Sequence, residues 1–212
     1  MKIISHRGYW LADKEKNTDV AFKRSFALGF GTETDVRDFD SKLVISHDVA
    51  VGGEILFNDF LEMAASANAS SQLTLAINIK SDGLAVDIAR AIAEFPTLDC
   101  FVFDMSVPDM NGYFSLDIPV FTRMSEVERQ PVWLEKSSGI WLDSFAFAWF
   151  NAYDVADLLE KEKRVCVVSP ELHGRSEDEI WPLLQSLSSF NNLILCTDKP
   201  EKASKYFARI EK

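Results

Sequence analysis

The sequence predicts an α/β fold of the (β/α)8 class, a TIM barrel formed as a single domain over residues 1–212. Three observations predict it. Short runs rich in β-branched and aromatic residues recur eight times, at 2–5, 32–36, 73–79, 100–104, 119–123, 139–143, 164–168 and 193–197. Segments with helical periodicity separate them. The runs are almost continuously apolar, as strands covered on both faces are, and eight such alternations argue for a closed barrel rather than an open doubly wound sheet. A length of 212 residues is short for this fold, which typically takes about 250.

Taken in order, "KIIS" is the first strand and "NTDVAFKRSFALGF" the first helix. Val20, Ala21, Phe22, Phe26 and Ala27 share one helical face, Asn17 or Thr18 stands at the cap, and Gly29 or Gly31 ends it. The alternating strand "TETDVRDF" follows, joined through "DFDSK" to "LVISHD", an additional strand or extended loop. "LFNDFLEMAASA" predicts a helix capped by Asn58. The pair "LTLAINIK" and "DGLAVDIARAIAEF" repeats the strand and helix pattern, and "CFVFDM", "IPVFTRM", "GIWLDSF", "RVCVVSPE" and "NLILCTD" continue it. Helices are expected over "NAYDVADLLEKEK", "SEDEIWPLLQSLSSF" and "KPEKASKYFARIEK", and in "SEVERQPVWLEKSS", where Pro131 interrupts the pattern.

A formal charge of -11, with Lys and Arg scattered rather than blocked, excludes nucleic acid and anionic membrane surfaces as partners. No window approaches about 18 uninterrupted apolar residues, so no membrane insertion is expected. The amino terminus enters strand pattern at once, and a soluble, cytoplasmic protein is predicted. Cys100, Cys166 and Cys196 each lie in or beside an apolar run without metal-site spacing, as reduced core thiols do.

Barrels of this class carry their chemistry at the carboxyl ends of the strands. The first strand ends in Ser5, His6 and Arg7, and the second carries Glu33 and Asp35, whose spacing points both carboxylates to one side. The additional segment ends in His47 and Asp48, the third strand in Asn78 and Lys80, and the fourth in Asp104. Asp143, Glu171, Thr197 and Asp198 fall at the ends of the sixth, seventh and eighth. Two acids on one side of a strand repel unless neutralised, and oxygen ligands suit Mg²⁺ or Ca²⁺; alternating acids are also common on solvated faces. His6 and His47 can transfer protons near neutral pH, and His173 is read as a loop residue. Arg7 and Lys80 either pair with neighbouring acids or hold an anionic group.

With these residues assembled, the chain resembles the glycerophosphodiester phosphodiesterase family, within the barrel phosphodiesterases similar to phosphatidylinositol-specific phospholipase C. The resemblance is carried by "HRG" at 6–8, "NT" at 17–18 before "AF" at 21–22, "ETDVR" at 33–37, "VISHD" at 44–48, "NIK" at 78–80 and "CTDKP" at 196–200. It implies metal-dependent hydrolysis of a small-molecule phosphodiester. Glu33 and Asp35 match the divalent-metal pair, His6 and His47 the general base and acid, and Arg7 and Lys80 the phosphate contacts. The implied route has a neighbouring substrate hydroxyl attack phosphorus, forming a cyclic phosphate that water then opens.

The chain also departs from that pattern. "EKNT" puts Glu15 and Lys16 where the family has Pro and Glu, and Asn78 replaces the glutamate that would be a third metal ligand. An amide oxygen ligates Mg²⁺ or Ca²⁺ without supplying charge, so metal affinity falls or another acid must help, for which Glu171, Asp104 and Asp143 are candidates. The insertion that usually follows the second histidine is absent, which leaves the alcohol portion of the substrate unspecified. Asn78 also motivates an alternative, a degenerate relative that binds a phosphorylated small molecule without turning it over.

Overall fold

A computed structural model describes residues 1–67 and 72–208. The last residues of the expected terminal helix, 209–212, lie outside them. The fold is a (β/α)8 barrel, with strands β1 (Lys2–His6), β2 (Gly31–Phe39), β4 (Thr74–Ile79), β5 (Asp99–Phe103), β6 (Phe121–Met124), β7 (Gly139–Leu142), β8 (Arg164–Val168) and β9 (Leu193–Thr197). Strand β3 (Lys42–Ile45) is additional, and it hairpins antiparallel onto β2 with Val36 opposite Ile45. Helices α1 (Asp19–Ala27), α2 (Phe57–Ala65), α3 (Ala85–Ala93), α4 (Val107–Tyr113), α5 (Ala152–Glu160), α6 (Trp181–Gln185) and α7 (Pro200–Phe207) lie between or after the strands.

By contact the chain divides into two compact units, one of Arg7–Val120 and one of Met1–His6 with the residues from Phe121 onward. In the Arg7–Val120 unit β2, β4 and β5 are parallel, and β4 is buried at every position because both of its faces are covered. The rings of Phe22, Phe26, Phe57 and Phe60 form its aromatic layer, with Phe22 meeting Phe60 edge-on at 4.7 Å. In the other unit the parallel order is β1-β9-β8-β7-β6. Ile140, Leu142, Val165, Val167, Leu193 and Leu195 from the strands pack there against Trp181, Leu184 and Phe207.

Three local expectations are corrected. Asn58 does not cap α2: the helix starts at Phe57 after Leu56, and Phe57 and Phe60 both enter the buried layer, 6.2 Å apart. "SEVERQPVWLEKSS" forms turns, because Pro131 lacks an amide proton and Trp133 sits at φ 52. Thr122 Oγ1 donates to Val132 O at 2.8 Å and Ser137 Oγ to Trp133 O at 3.0 Å, so the turns take the bonds a helix would have made. The segment 176–190 is broken as well: a 3-10 turn spans Glu177–Glu179, Ile180 leaves helical geometry at φ -122, and α6 starts afresh with Pro182 in its first turn.

Cys100, Cys166 and Cys196 are buried thiols. Among the described residues no helix is long and apolar enough to cross a membrane. Gly8 sits at φ 82, and a Cβ there would come within 2.7 Å of Ala21 Cβ and 2.9 Å of Ala21 C. A Gly8→Ala variant is expected to lose about 1–3 kcal/mol of stability, read as the urea midpoint at unchanged m-value.

Glu177 joins the 3-10 turn to the start of α7, bonding Lys199 Nζ at 2.8 Å and also Lys202. Those hydrogen bonds hold its carboxyl down at about 2, against the ordinary 4.5. A lowered carboxylate stabilises the fold above its unfolded value and loses that contribution as pH falls toward the folded one. Wild type should therefore exceed Glu177→Gln by about 1–2 kcal/mol at pH 7, with both lysines' exposure allowed for, and the gap should close between about pH 4.5 and 2 in denaturant titrations.

Candidate active site

In the Arg7–Val120 unit the chemistry gathers around Asp35, which is wholly buried in β2. Arg7 Nε stands 3.1 Å from its Oδ2 and Lys80 Nζ 3.2 Å from its Oδ1, while Asn17 Nδ2 donates to Oδ2 at 2.8 Å. The two cations are ion-paired by distance and not aligned as hydrogen bonds, whereas the Asn17 contact is an aligned bond. Thr34 Oγ1 donates to Asn17 Oδ1 at 2.9 Å, which fixes which end of the amide faces the carboxylate.

The sequence builds this locally. Arg7 and Asn17 both lie at φ 57, a left-handed conformation that bulky L-residues seldom adopt. Backbone bonds from Arg7 N to Glu33 O and from Asn17 N to Arg7 O, both 2.9 Å, hold them there. Gly8 N donates to Thr32 Oγ1 at 2.8 Å and completes the turn. Strain that the surroundings over-determine in this way is characteristic of ligand-binding turns.

Glu33 is 2% exposed on the same side of β2 as Asp35, and Asn78 is in register with Asp35 on the neighbouring β4. Asn78 Oδ1 is buried with no hydrogen-bond partner. Among the described residues no group of three or more His, Cys, Asp or Glu side chains is gathered as a ligand set. Two buried carboxylates beside a buried, unsatisfied amide oxygen nonetheless fit a hard divalent cation, since all the donors are oxygen. His47 Nδ1 pairs with Asp48 Oδ1 at 2.9 Å, and both are open to water, at 44% and 94% exposure. A cavity of about 490 Å³ is lined by Arg7, Lys16, Asn17, Ser46, His47 and Asp48 among others. The unit thus brings Arg7, Asp35 and Lys80 into contact, and it places His47 and Arg7 on one cavity.

The second unit holds two further imidazoles, each on a carboxylate. His6 Nδ1 meets Asp198 Oδ1 at 2.8 Å, with about one sixth of each side chain exposed, at 17% and 16%. Asp198 follows β9, which pairs with β1 through Ser5 and Thr197. The bond to the carboxylate sets the orientation of the ring. His173, in a 3-10 turn after β8, meets Asp143 Oδ1 at 2.7 Å through Nε2. Asp143 follows β7 at 6% exposure, and its Oδ1 also accepts Ser144 N at 2.7 Å. The hydrogen bond that the ring donates to Asp143 raises the His173 imidazole above its ordinary value, against burial, which acts in the opposite direction.

Glu171 is engaged in scaffold bonds. Its Oε2 accepts from Ser169 Oγ, and its Oε1 accepts from Thr197 Oγ1 and, at 3.2 Å, from Asp198 N. Through Oε1 the side chain braces the backbone that carries Asp198. Sequence reasoning missed the pairing of Asp198 with His6 and read His173 as a loop residue; the available signal was that Asp143, His173 and Asp198 all fall just beyond strands.

No family model matches the chain, and no curated protein matches it in sequence. Solved structures do resemble it. A phosphodiesterase of Oleispira antarctica in complex with the product sn-glycerol-3-phosphate superposes at TM-score 0.68 and 16% identity, over 98% of this chain and 97% of that one. A glycerophosphodiester phosphodiesterase of Agrobacterium tumefaciens does so at TM-score 0.65 and 15% identity, over 99% and 100%. A dihydropteroate synthase of Anaplasma phagocytophilum matches at TM-score 0.54 and 12% identity, over 98% and 97%. These likenesses establish the barrel fold, which hosts more than one chemistry.

Replacing Lys80 by Met leaves the buried Asp35 carboxylate with one cation fewer. The expected loss is about 1–3 kcal/mol of unfolding free energy in urea, partly recovered in Lys80→Met/Asp35→Asn, where the charge left behind is gone too.

Proposed function

We propose that the protein is a metal-dependent phosphodiester hydrolase that acts on glycerophosphodiester-like small molecules and uses histidines for proton transfer. The observation that carries this reading is the cluster in which Arg7 and Lys80 flank the buried Asp35 beside Glu33 and Asn78. Two fixed cations beside acidic oxygen donors are what a transferring phosphoryl group requires, since its charge is spread over oxygens that need both cationic contacts and a hard metal. The motifs shared with glycerophosphodiester phosphodiesterases support the reading. So does the fold likeness to one such enzyme and to a phosphodiesterase holding sn-glycerol-3-phosphate.

Glu33, Asp35 and Asn78 would hold a divalent cation, Mg²⁺ or Ca²⁺, which when bound polarises phosphoryl oxygens. Arg7 and Lys80 bind the phosphate anion and orient it. In this reading His6, oriented by Asp198, takes the proton of the attacking hydroxyl, while the leaving oxygen gains one from a second imidazole, for which the sequence offers His47. Water then opens the cyclic phosphate by the reverse transfers. Three buried thiols favour a reducing compartment, and a cytoplasmic location is part of the proposal.

Asn78 favours a second reading, a phosphate-ester binder without turnover, because its amide supplies no charge to a metal. Turnover of a diester panel with Mg²⁺, Mn²⁺ and Ca²⁺ separates the two. The hydrolase should lose activity to EDTA and regain it with metal, and His6→Ala should lower turnover by about 10²–10⁴ without unfolding. Ligand-induced stabilisation by phosphate esters with no product from any diester would establish the binder. Asn78→Glu should tighten metal binding by calorimetry if the site is an enfeebled metal centre, and weaken it if the site is tuned to the amide.

A further inference from the structure

The cavity of about 490 Å³ and the cluster of Arg7, Asp35 and Lys80 belong to the same Arg7–Val120 unit. Arg7 is common to both: its Nε stands 3.1 Å from Asp35 Oδ2, and the residue lines the cavity. An anion seated on Arg7 therefore adjoins this space, and the rest of its molecule meets whatever the cavity presents. Lys16 forms part of the wall, and its ammonium is held twice. Nζ stands 3.0 Å from Asp13 Oδ1 and lies over the Trp10 ring, 4.3 Å from the centroid. A carboxylate beside an aromatic face suits an ammonium group, quaternary ones included. Here the chain fills that seat with its own lysine.

The segment that carries Lys16 is pinned at several points. Glu15 accepts Leu11 N at 2.9 Å and Arg24 Nη1 at 2.8 Å, and Thr18 Oγ1 donates to Glu15 O at 2.6 Å. Asn17, next in the chain, donates to Asp35 through its side chain and to Arg7 O through its backbone. Lys16 is thus anchored at its root as well as at its tip. The acids that share the cavity are engaged within the chain. Asp19 pairs with Lys23 at 3.2 Å, Asp48 with His47 at 2.9 Å, and Glu54 accepts Val51 N at 2.7 Å and Gly52 N at 2.9 Å. Asp13 is taken by Lys16. The cavity therefore presents two fixed cations, Arg7 and Lys16, and each of its four acids already has a partner.

We propose that Lys16 is a specificity-determining residue, which keeps cationic alcohols such as choline out of the cavity and admits diesters whose alcohol is an uncharged polyol such as glycerol. The inference rests on the phosphodiesterase reading and names the substrate class of that site. A trimethylammonium group entering here meets a like charge already on the Trp10 face and a carboxylate, Asp13, already shared. A polyol meets neither obstacle, and its hydroxyls accept hydrogen bonds from the Lys16 ammonium. Selection of this kind comes from repelling the wrong ligand as much as from attracting the right one. In a small cavity open to solvent, one such charge separates the two kinds of ester by about tenfold to a hundredfold.

Glycerophosphoglycerol and glycerophosphocholine, compared as kcat/KM with the same metal, test this. Both present the same glycerol phosphate and expel a primary alcohol, so their ratio isolates the charge on that alcohol. The unmodified protein should favour the glycerol ester by about tenfold or more. Lys16→Gln should narrow that preference by about tenfold, Lys16→Glu should reverse it, and Lys16→Arg should keep it. Asp13→Asn leaves the Lys16 charge unshared and should widen it. A merely structural lysine would move both esters alike. If Lys16→Glu does not fold by circular dichroism, Lys16→Gln and Asp13→Asn carry the comparison, because their shifts are opposite in sign. An unchanged ratio in folded Lys16 variants, or an unmodified protein that prefers the choline ester, would overturn the inference and leave the hydrolase reading intact. Cleavage of other diesters but of neither of these would do the same. If no diester is cleaved with Mg²⁺, Mn²⁺ or Ca²⁺, the hydrolase reading fails and this inference falls with it.

Discussion

A carboxylate with no access to water sits at the centre of the Arg7–Val120 unit, and much of the local architecture answers to it. Burying Asp35 in β2 without compensation would cost several kcal/mol, so Arg7, Lys80 and Asn17 are brought to it from three different parts of the chain. That requirement explains the left-handed backbone at Arg7 and Asn17 and the glycine at position 8. It also keeps two cations beside a group they neutralise only by proximity, without aligned hydrogen bonds, so their remaining hydrogen-bonding capacity is available to an incoming anion.

The other unit solves a different problem with related means. There the acids are not neutralised by fixed cations but placed under imidazoles, Asp198 under His6 and Asp143 under His173. A ring bonded at one nitrogen has its tautomer and orientation set, which is what proton transfer needs and what an exposed surface pair does not supply. Glu171 shows the cost of that order. Both of its oxygens accept hydrogen bonds, from Ser169, Thr197 and the Asp198 amide, so the turn after β8 is tied to the end of β9.

The strands were legible in the sequence because strands covered on both faces must be apolar throughout, and the eight runs proposed from composition each overlap a parallel strand. The candidate site was legible to the extent that His6, Arg7 and Lys80 sit at or just beyond the ends of β1 and β4, and that Glu33 and Asp35 alternate along β2. Pairings were not. Nothing in "NLILCTD" says that Asp198 faces His6, 192 positions away, because that contact depends on β9 lying beside β1. His173 was hidden for the same reason, and also because a histidine ahead of a glycine in a turn has the pattern of an ordinary loop residue. Helix ends failed where tertiary packing outweighed local signals: Asn58 is a good capping residue, but Phe57 is drawn into the aromatic layer and moves the start of α2 ahead of it.

The stretch between β6 and β7 makes the connection with turns alone, where a barrel of this class ordinarily spends a helix. Its Arg129 and Gln130 are exposed, and Val127 is 76% exposed. A chain economised there rather than at the strands keeps its hydrogen-bonded staves at full number while shedding outer cladding. The same stretch is consequently the natural place to open new termini for a circular permutant, because few buried groups would be orphaned by the cut.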